Sequence, residues 1–574
     1  KSTKQEDPVV HFYETFLGEY NPALRKARGV WYTPQPVVNF IVRAVDDILK
    51  TEFNLPQGLA DTSKTKVKKK TVTQTGTGAN SKIKEVETEI EVHKVQILDP
   101  ATGTGTFLAE VVKHIYKKFE GQQGIWSKYV TKDLIPRLNG FELLMASYAM
   151  AHLKMDMLLT ETGYKPADDQ RFKIFLTNSL EEAHPDTATL FSSWLSDEAD
   201  QANAIKRDSP VMVVIGNPPY SVSSTNKSPW IESLTADYKK DMKERNIQPL
   251  SDDYIKFIRF GQHFIDKNGS GVLAYISNNS FIDGIIHRQM RKHLLESFDK
   301  IYILDLHGNT RIKEIALDGS VDQNVFDIMA GVSINIFVKT NKKVVKSIGN
   351  VFHYDLYGKR DLKYSFLSEN DIKTIKWNNL DITAPEYLMV NKDYSSKSAY
   401  NIGFSINELF INNNSGLATE FDELVIHDNY ESAKNILNEL KTVSAEEIKS
   451  KYSFKDKQLI KIENAKKDIE KNDVNIYPIN YRPFDKQYCI YTGLSNGVMG
   501  RPRNSTMQHF IKGKNVGIIV SRTVYGSYDW YDIQITNAIT EKGIMAMRVG
   551  NAAIVCPLYL YPETTAQQTL DGNT

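Results

Sequence analysis

Short, almost wholly apolar runs alternate with amphipathic helical stretches between residues 95 and 340, and no other feature limits the fold so strongly. VQILDP is followed by TFLAEVVKHIYKKF, whose Phe107, Val111, Ile115 and Phe119 share one helical face. RLNGFELLMASYAMAHLKMDMLL then supplies a short strand and a long helix. FKIFLTNSL, SPVMVVIGNPPY, GSGVLAYISNNSF, KIYILDLHG and GVSINIFVKTN continue the series of strands. A strand that is apolar at nearly every position has both faces buried, and the intervening helices supply the cover. The pattern predicts an α/β fold with a mostly parallel sheet, the last run being able to form an antiparallel edge.

The flanks read differently. Val10, Tyr13, Phe16 and Leu17 share a helical face within residues 9–20. Thr33 can cap a second helix entered through Pro34, with Val37, Val38, Ile41, Val42, Val45, Ile48 and Leu49 as its apolar stripe. Residues 56–95 carry few large apolar side chains and read as an inserted hairpin or loop. Their run Lys64, Lys66, Lys68, Lys69 and Lys70 is either a solvated face or an arm that touches phosphates. Past residue 345 strands become scattered. Residues 430–473 look helical, with KIENAKKDIEKND as a bridge or exposed arm, and 474–561 are β-rich and irregular. The expected organisation is a lead-in at 1–28, an α/β domain at 29–344 and a mixed, partly β-rich region at 345–574.

Charge and cysteine content narrow the partners. Among 574 residues, 71 Lys and Arg oppose 70 Asp and Glu, so a globally basic coat is excluded. A local one is not: residues 481–548 hold nine Lys or Arg against four Asp or Glu. Cys489 and Cys556 cannot build a disulfide framework, so a reducing, cytoplasmic setting is the default. Twelve scattered histidines without HExxH or CxxC give no expected metal site, and His307 reads as an ordinary residue. No apolar run approaches the ~20 residues that cross a bilayer. The polar N-terminus without Met reads as the start of a fragment of a longer protein.

Four segments carry chemistry. In ILDPATGTGTF, Asp99 follows a strand, and Gly103 and Gly105 lie in the turn before a helix. Such glycines let backbone approach a ligand closely. The spacing is not the three-glycine dinucleotide fingerprint, and no Gly-Lys-Ser or Gly-Lys-Thr follows to cradle phosphate. An acid at this point fits a ligand with a positive group, such as the amino group of S-adenosylmethionine; a plain glycine-rich turn is the competing reading. Glu142 ends the next strand, where an acid accepts from ribose hydroxyls or merely starts a helix. Asn178 ends the third, where its amide can meet an adenine edge or cap a turn. GNPPY follows the apolar run Val211–Ile215. There Asn217 offers an amide oxygen, Pro218 and Pro219 offer rigidly held carbonyls, and Tyr220 offers a flat face. Two fixed acceptors can hold both hydrogens of an exocyclic amino group, with no strong base or nucleophile needed. Tyr220 can stack on a base taken out of its duplex.

As a set, GVWYTPQP, DPATGTGTF, Phe141-Glu142 and GNPPY over residues 29–220 resemble gamma-class DNA methyltransferases that act on adenine N6, with weaker matches to about residue 340. The resemblance implies a Rossmann-like class I methyltransferase fold, S-adenosylmethionine as cofactor and a flipped adenine as substrate. It also implies that Tyr32, Thr33 and Pro34 close over the cofactor. Asp99, Ala101, Gly103 and Gly105 then form the methionine-side loop, and Glu142 binds ribose. Asn178 stands where the family often has Asp against the cofactor adenine. Asn217, Pro218, Pro219 and Tyr220 form the catalytic loop. Phe326 matches a second aromatic against the extruded base, a core phenylalanine being the alternative.

The lead-in FYETFLGEYNPALRKARGVWYTP and the later YRPFD resemble single-chain type ISP restriction–modification enzymes. That likeness implies a target-recognition region at 345–574, incomplete here, and nuclease and helicase regions elsewhere in the full-length chain. It implies double-stranded DNA with a specific target sequence as partner, a cytoplasmic, DNA-associated location and no membrane. Competing readings are a methyltransferase acting on RNA or a protein amide, and a DNA-recognition module with an inactive core.

Overall fold

The computed structural model describes residues 33–75, 82–166, 171–183, 194–220, 224–242, 244, 246–316, 318–340, 342, 347–521, 533–545 and 552–562. The expected helix at 9–20 and Tyr32 lie outside them. The chain forms two compact units, Lys1–Lys392 and Asp393–Thr574.

In the first unit, helix α1 (Gln35–Glu52) buries the whole expected stripe from Val37 to Leu49. Pro34, not Thr33, occupies the N-cap, and no side chain caps it; the Thr33 hydroxyl is engaged elsewhere, as described below. Strands β1 (Lys64–Thr75) and β2 (Lys82–His93) pair antiparallel as a hairpin. Its backbone register sets Lys66, Lys68 and Lys70 opposite Glu91, Glu89 and Glu87.

Nine strands form the main sheet among the described residues. They are β3 (Gln96–Asp99), β4 (Leu138–Glu142), β5 (Lys173–Leu176), β6 (Val211–Gly216), β7 (Gly271–Asn278), β8 (Lys300–Asp305), β9 (Val332–Lys339), β10 (Asn350–Asp355) and β11 (Asn378–Leu380). Their order is β11-β10-β8-β9-β7-β6-β3-β4-β5. β3 to β7 are mutually parallel; β9 runs antiparallel to both neighbours. The expected edge strand therefore lies inside the sheet, where its buried apolar face residues belong. Helices cover both faces. Ile97, Val213, Ile215, Val272 and Ala274 pack with α1, α2 (Thr106–Tyr116) and α3 (Met145–Glu161). The alternate residues Leu98, Val214, Leu273 and Tyr275 pack with α5 (Pro229–Lys239), α6 (Asp253–Asn268) and α7 (Arg288–Ser297), after α4 (Trp194–Asp208). This alternation is the period-two signature of a sheet clad on both sides.

The expected boundary at 344/345 moves. β10 extends the sheet beside β8, β11 beside β10, and helix α8 (Arg360–Glu369) packs on α1. Arg43 of α1 donates to Leu367 O at 2.6 Å and Asn370 O at 3.0 Å.

The second unit is mixed, as expected. Strands β12 (Asn414–Ser415), β13 (Ala418–Thr419), β14 (Ile426–His427), β15 (Asn475–Arg482), β16 (Asp485–Tyr491), β17 (Met499–Arg501), β18 (Gly517–Val520), β19 (Ile533–Thr536), β20 (Ile539–Thr540) and β21 (Ile554–Pro557) form small sheets. These are β12-β21-β18-β19, β14-β16-β15-β20 and the pair β13-β17. Helices α9 (Tyr430–Thr442), α10 (Ala445–Lys451) and α11 (Leu459–Lys471) pack on the second of them. The KIENAKKDIEKND stretch lies in α11 and is no exposed arm: Ile462, Ala465 and Ile469 are buried in the core, leaving the charges on the outer face. Cys489 and Cys556 are buried free thiols.

Candidate active site

The order in which strands join the main sheet switches sides at β3: β4 and β5 lie to one side, β6 and β7 to the other, all running parallel. A crevice at the carboxyl ends of such strands is where open α/β sheets hold ligands. Asp99 ends β3 there and has no solvent exposure. Its Oδ1 accepts the Ala101 amide at 3.1 Å, while Oδ2 has no hydrogen-bond partner. Burial pushes the carboxyl up to about 8, opposed by the Ala101 amide and reinforced by Glu142. A Cβ on Gly216, the last residue of β6, would stand 2.8 Å from Asp99 Oδ1, so glycine lets the two strand ends close on each other.

The turn after Asp99 is locked to the end of β4. Gly103 and Gly105 adopt φ of +56° and +80°, a region that favours glycine. The Gly103 amide donates to Glu142 Oε2 and the Leu144 amide to Oε1, each at 2.7 Å. Burial raises the Glu142 carboxyl and these amides oppose the shift. Thr102 adds a bond from its amide to Phe141 O (3.0 Å) and from its hydroxyl to Asp99 O (2.9 Å). Asp99, Ala101, Gly103, Gly105 and Glu142 are thus brought together at one turn. A cationic group fits the orphaned Asp99 oxygen, and the second lone pairs of Glu142 fit hydroxyl donors.

Asn178 follows β5. Its Oδ1 holds the Leu180 amide at 3.0 Å, and its Nδ2 donates to Glu181 Oε1 (3.1 Å) and Asn226 Oδ1 (3.3 Å). The turn-capping alternative is therefore the observed use of this amide.

Asn217 leaves β6 into the proline pair. Its Nδ2 donates to Thr33 Oγ1 at 2.9 Å, joining the start of α1 to the loop across 184 residues. Its Oδ1 accepts the Tyr220 hydroxyl at 2.9 Å. The side-chain amide is thereby held from both ends, its nitrogen by Thr33 and its oxygen by Tyr220. Pro218 is buried and Pro219 half-buried. Tyr220 is half-buried, edge-on to Tyr254 at 6.4 Å, and burial pushes its phenol well up, so it stays a neutral donor. Phe326 is 4% exposed and lies in the core, while its carbonyl accepts from Arg360. This is the core alternative; a ring so enclosed has no open face for a base.

Two groups escaped the sequence reading. Lys256 of α6, 1% exposed, donates to Ser224 Oγ and Asn226 O, and Asp253 Oδ1 accepts from Ser224 Oγ at 2.6 Å and Asn226 Nδ2 at 3.0 Å. They anchor the residues following the NPPY loop. His307, held between carboxylates, is the other. Asp355, Glu314 and Asp305 raise its imidazole to about 10 against the effect of burial. The only local signal for it was an acid–Leu–His sequence at a strand end.

Comparison with known proteins finds a match within each unit. Residues 146–312 match the family Eco57I restriction-modification methylase, and residues 408–573 match the Type ISP C-terminal specificity domain. Type II methyltransferase M.BstVI of Geobacillus stearothermophilus is 23% identical over 222 residues, 37% of this chain and 33% of that protein. The solved structure of the ATP-dependent Type ISP restriction-modification enzyme LlaBIII bound to DNA aligns with 98% of this chain, at a TM-score of 0.66 and 23% identity, and with 36% of that chain. The DrdV–DNA complex aligns with 96% of this chain and 51% of its own, at a TM-score of 0.61 and 21% identity. The fold is shared, and the order of the two matched segments resembles single-chain Type ISP enzymes. The chain spans about a third of the length of the curated relative and of LlaBIII.

Proposed function

We propose that this chain is the methyltransferase and target-recognition part of a larger restriction–modification enzyme, and that it methylates the N6 amino group of a flipped adenine in double-stranded DNA. The observation that carries this reading is the convergence, at one crevice, of an unpartnered buried Asp99 oxygen and the NPPY loop. S-adenosylmethionine, when bound, supplies a methyl group on a cationic sulfur. Asp99 Oδ2 would hold its amino group, the Gly103–Gly105 turn its methionine part and Glu142 its ribose hydroxyls. Thr33 and Tyr220 hold Asn217 so that its Oδ1, with the Pro218 carbonyl, accepts the two N6 hydrogens of adenine. Those bonds raise electron density on the nitrogen and fix its lone pair along the line of attack. The Tyr220 ring faces the base. The proton shed after transfer needs no strong base and passes to water. The second unit reads the target sequence from its locally basic surface.

Single-turnover methyl transfer to duplex DNA tests the loop. Asn217→Ala should retain S-adenosylmethionine affinity in calorimetry and lose at least ~10²-fold in rate, the loss typical of a removed preorganised polar contact. Wild-type turnover by Asn217→Ala would refute the assignment.

A further inference from the structure

At the carboxyl end of the sheet, the pairing of β8 with β10 sets two carboxylates side by side: Asp305 stands opposite Asp355 in register. Like charges so placed repel unless a cation lies between them. His307, two residues past Asp305, projects into the same place. Its Nε2 lies 2.9 Å from Asp355 Oδ1 and its Nδ1 lies 2.8 Å from Glu314 Oε1 and 3.7 Å from Asp305 Oδ2. One ligand atom each from Asp305, His307 and Asp355 falls within 4.8 Å of the others. The His307 ring is clamped flat against Tyr357, with centroids 3.8 Å apart and planes 13° apart. Asp305 is held through Oδ1 by Asn279 Nδ2 (2.9 Å) and the His307 amide (3.0 Å), which leaves Oδ2 directed to the cluster.

A second observation is independent of the acids. His353, two residues before Asp355 on β10, is 0% exposed, and neither of its ring nitrogens has a hydrogen-bond partner. Its Nδ1 lies 3.6 Å from Asp355 Oδ2, beyond hydrogen-bond reach yet facing the cluster. A buried imidazole without a partner is costly, and a cation at the cluster would give it one.

We propose that Asp305, His307 and Asp355, joined by His353, form a site for a divalent first-row transition cation of the zinc type. Imidazole nitrogen mixed with carboxylate oxygen selects this class over Mg²⁺ or Ca²⁺, which take oxygen alone. His307 ligates through Nε2, next to Asp355, and its Nδ1–H donates to Glu314. That is the carboxylate–histidine–metal arrangement, in which the outer carboxylate orients the ring and raises its basicity. The cation would tie β8, β10 and the segment leading to Glu314 together beside the carboxyl end of β7. Its role is structural, and the proposal stands apart from methyl transfer. The competing account is that a protonated His307 is itself the cation that neutralises the acids.

Equilibrium dialysis of the full chain against Zn²⁺ and, separately, Mg²⁺, followed by elemental analysis, distinguishes the two accounts. The site predicts one Zn²⁺ retained per chain and no stoichiometric Mg²⁺. Asp355→Asn and His353→Gln should each weaken Zn²⁺ binding at least tenfold, and Glu314→Gln by ~10–100-fold, as for other outer-sphere partners. The melting temperature of each variant in chelator shows whether it folds. His353 has no hydrogen bond to lose, so His353→Gln decides if Asp355→Asn does not fold. Absence of stoichiometric Zn²⁺, retention of Mg²⁺ instead, or Zn²⁺ binding unchanged in His353→Gln and Glu314→Gln would overturn the site and leave His307 as the cation.

Discussion

Asp99 concentrates the chemistry of the proposed cofactor crevice in one carboxyl group, and its protonation has a testable consequence. Its folded value of about 8 lies far above the ordinary 3.8. The ligand-free fold therefore holds a proton that the unfolded chain has released, and this contribution to stability is lost as pH rises from about 4 to 8. Asp99→Asn removes the ionisation. Calorimetric melting at pH 5 and pH 8 should show the wild type losing more stability than Asp99→Asn over that interval. The same substitution should abolish S-adenosylmethionine binding, because the amide no longer offers a charge to the amino group. Tyr220 adds a second residue-scale test. Tyr220→Phe removes the hydroxyl that orients Asn217 Oδ1 but keeps the ring face. Methyl transfer should fall by less than in Asn217→Ala, while Tyr220→Ala should also lose base stacking worth roughly 1–3 kcal/mol in DNA affinity. Asp99, Glu142 and Asn217 were legible because each is a polar residue closing an apolar strand. The Thr33 contact to Asn217 was not, because 184 residues separate the partners and only the fold joins them.

At the scale of elements, the lesson is where local pattern stops. An apolar run announces a buried strand but not its neighbours, so β9 was legible as a strand able to run antiparallel, while its place inside the sheet between β7 and β8 was not. The carboxylate cluster at β8 and β10 was hidden for the same reason: it exists only through their pairing. In KIENAKKDIEKND the helix was legible, and alternating charge concealed only that Ile462, Ala465 and Ile469 bury one of its faces. Helix α8 supplies the sharpest test at this scale. Lys363 and Asp322 form an ion pair at 2.8 Å with both side chains fully buried, and Lys363 Nζ also donates to Leu306 O and Gln323 O at 2.7 Å. Lys363→Met leaves the Asp322 charge buried without its partner. Urea unfolding of the first unit should register a loss of about 3–5 kcal/mol.

For the molecule as a whole, the division at Lys392 and Asp393 makes the two units separable in principle. A chain ending at residue 392 keeps β10, α8 and β11 and should unfold cooperatively and bind S-adenosylmethionine; one ending at 344 lacks them and should not fold. The boundary was misplaced in the sequence because the strand–helix rhythm fades after β9 although the sheet continues. The shorter folded chain should also lose preference among DNA sequences, since the second unit carries the recognition surface in this account. The most direct measurement is the identity of the product. The full chain is incubated with labelled S-adenosylmethionine and mixed-sequence duplex DNA, and the methylated nucleoside is identified by mass. The account predicts N6-methyladenine, absent with Asn217→Ala. Methyl on cytosine, on RNA alone or on protein, or no transfer at all, would contradict it.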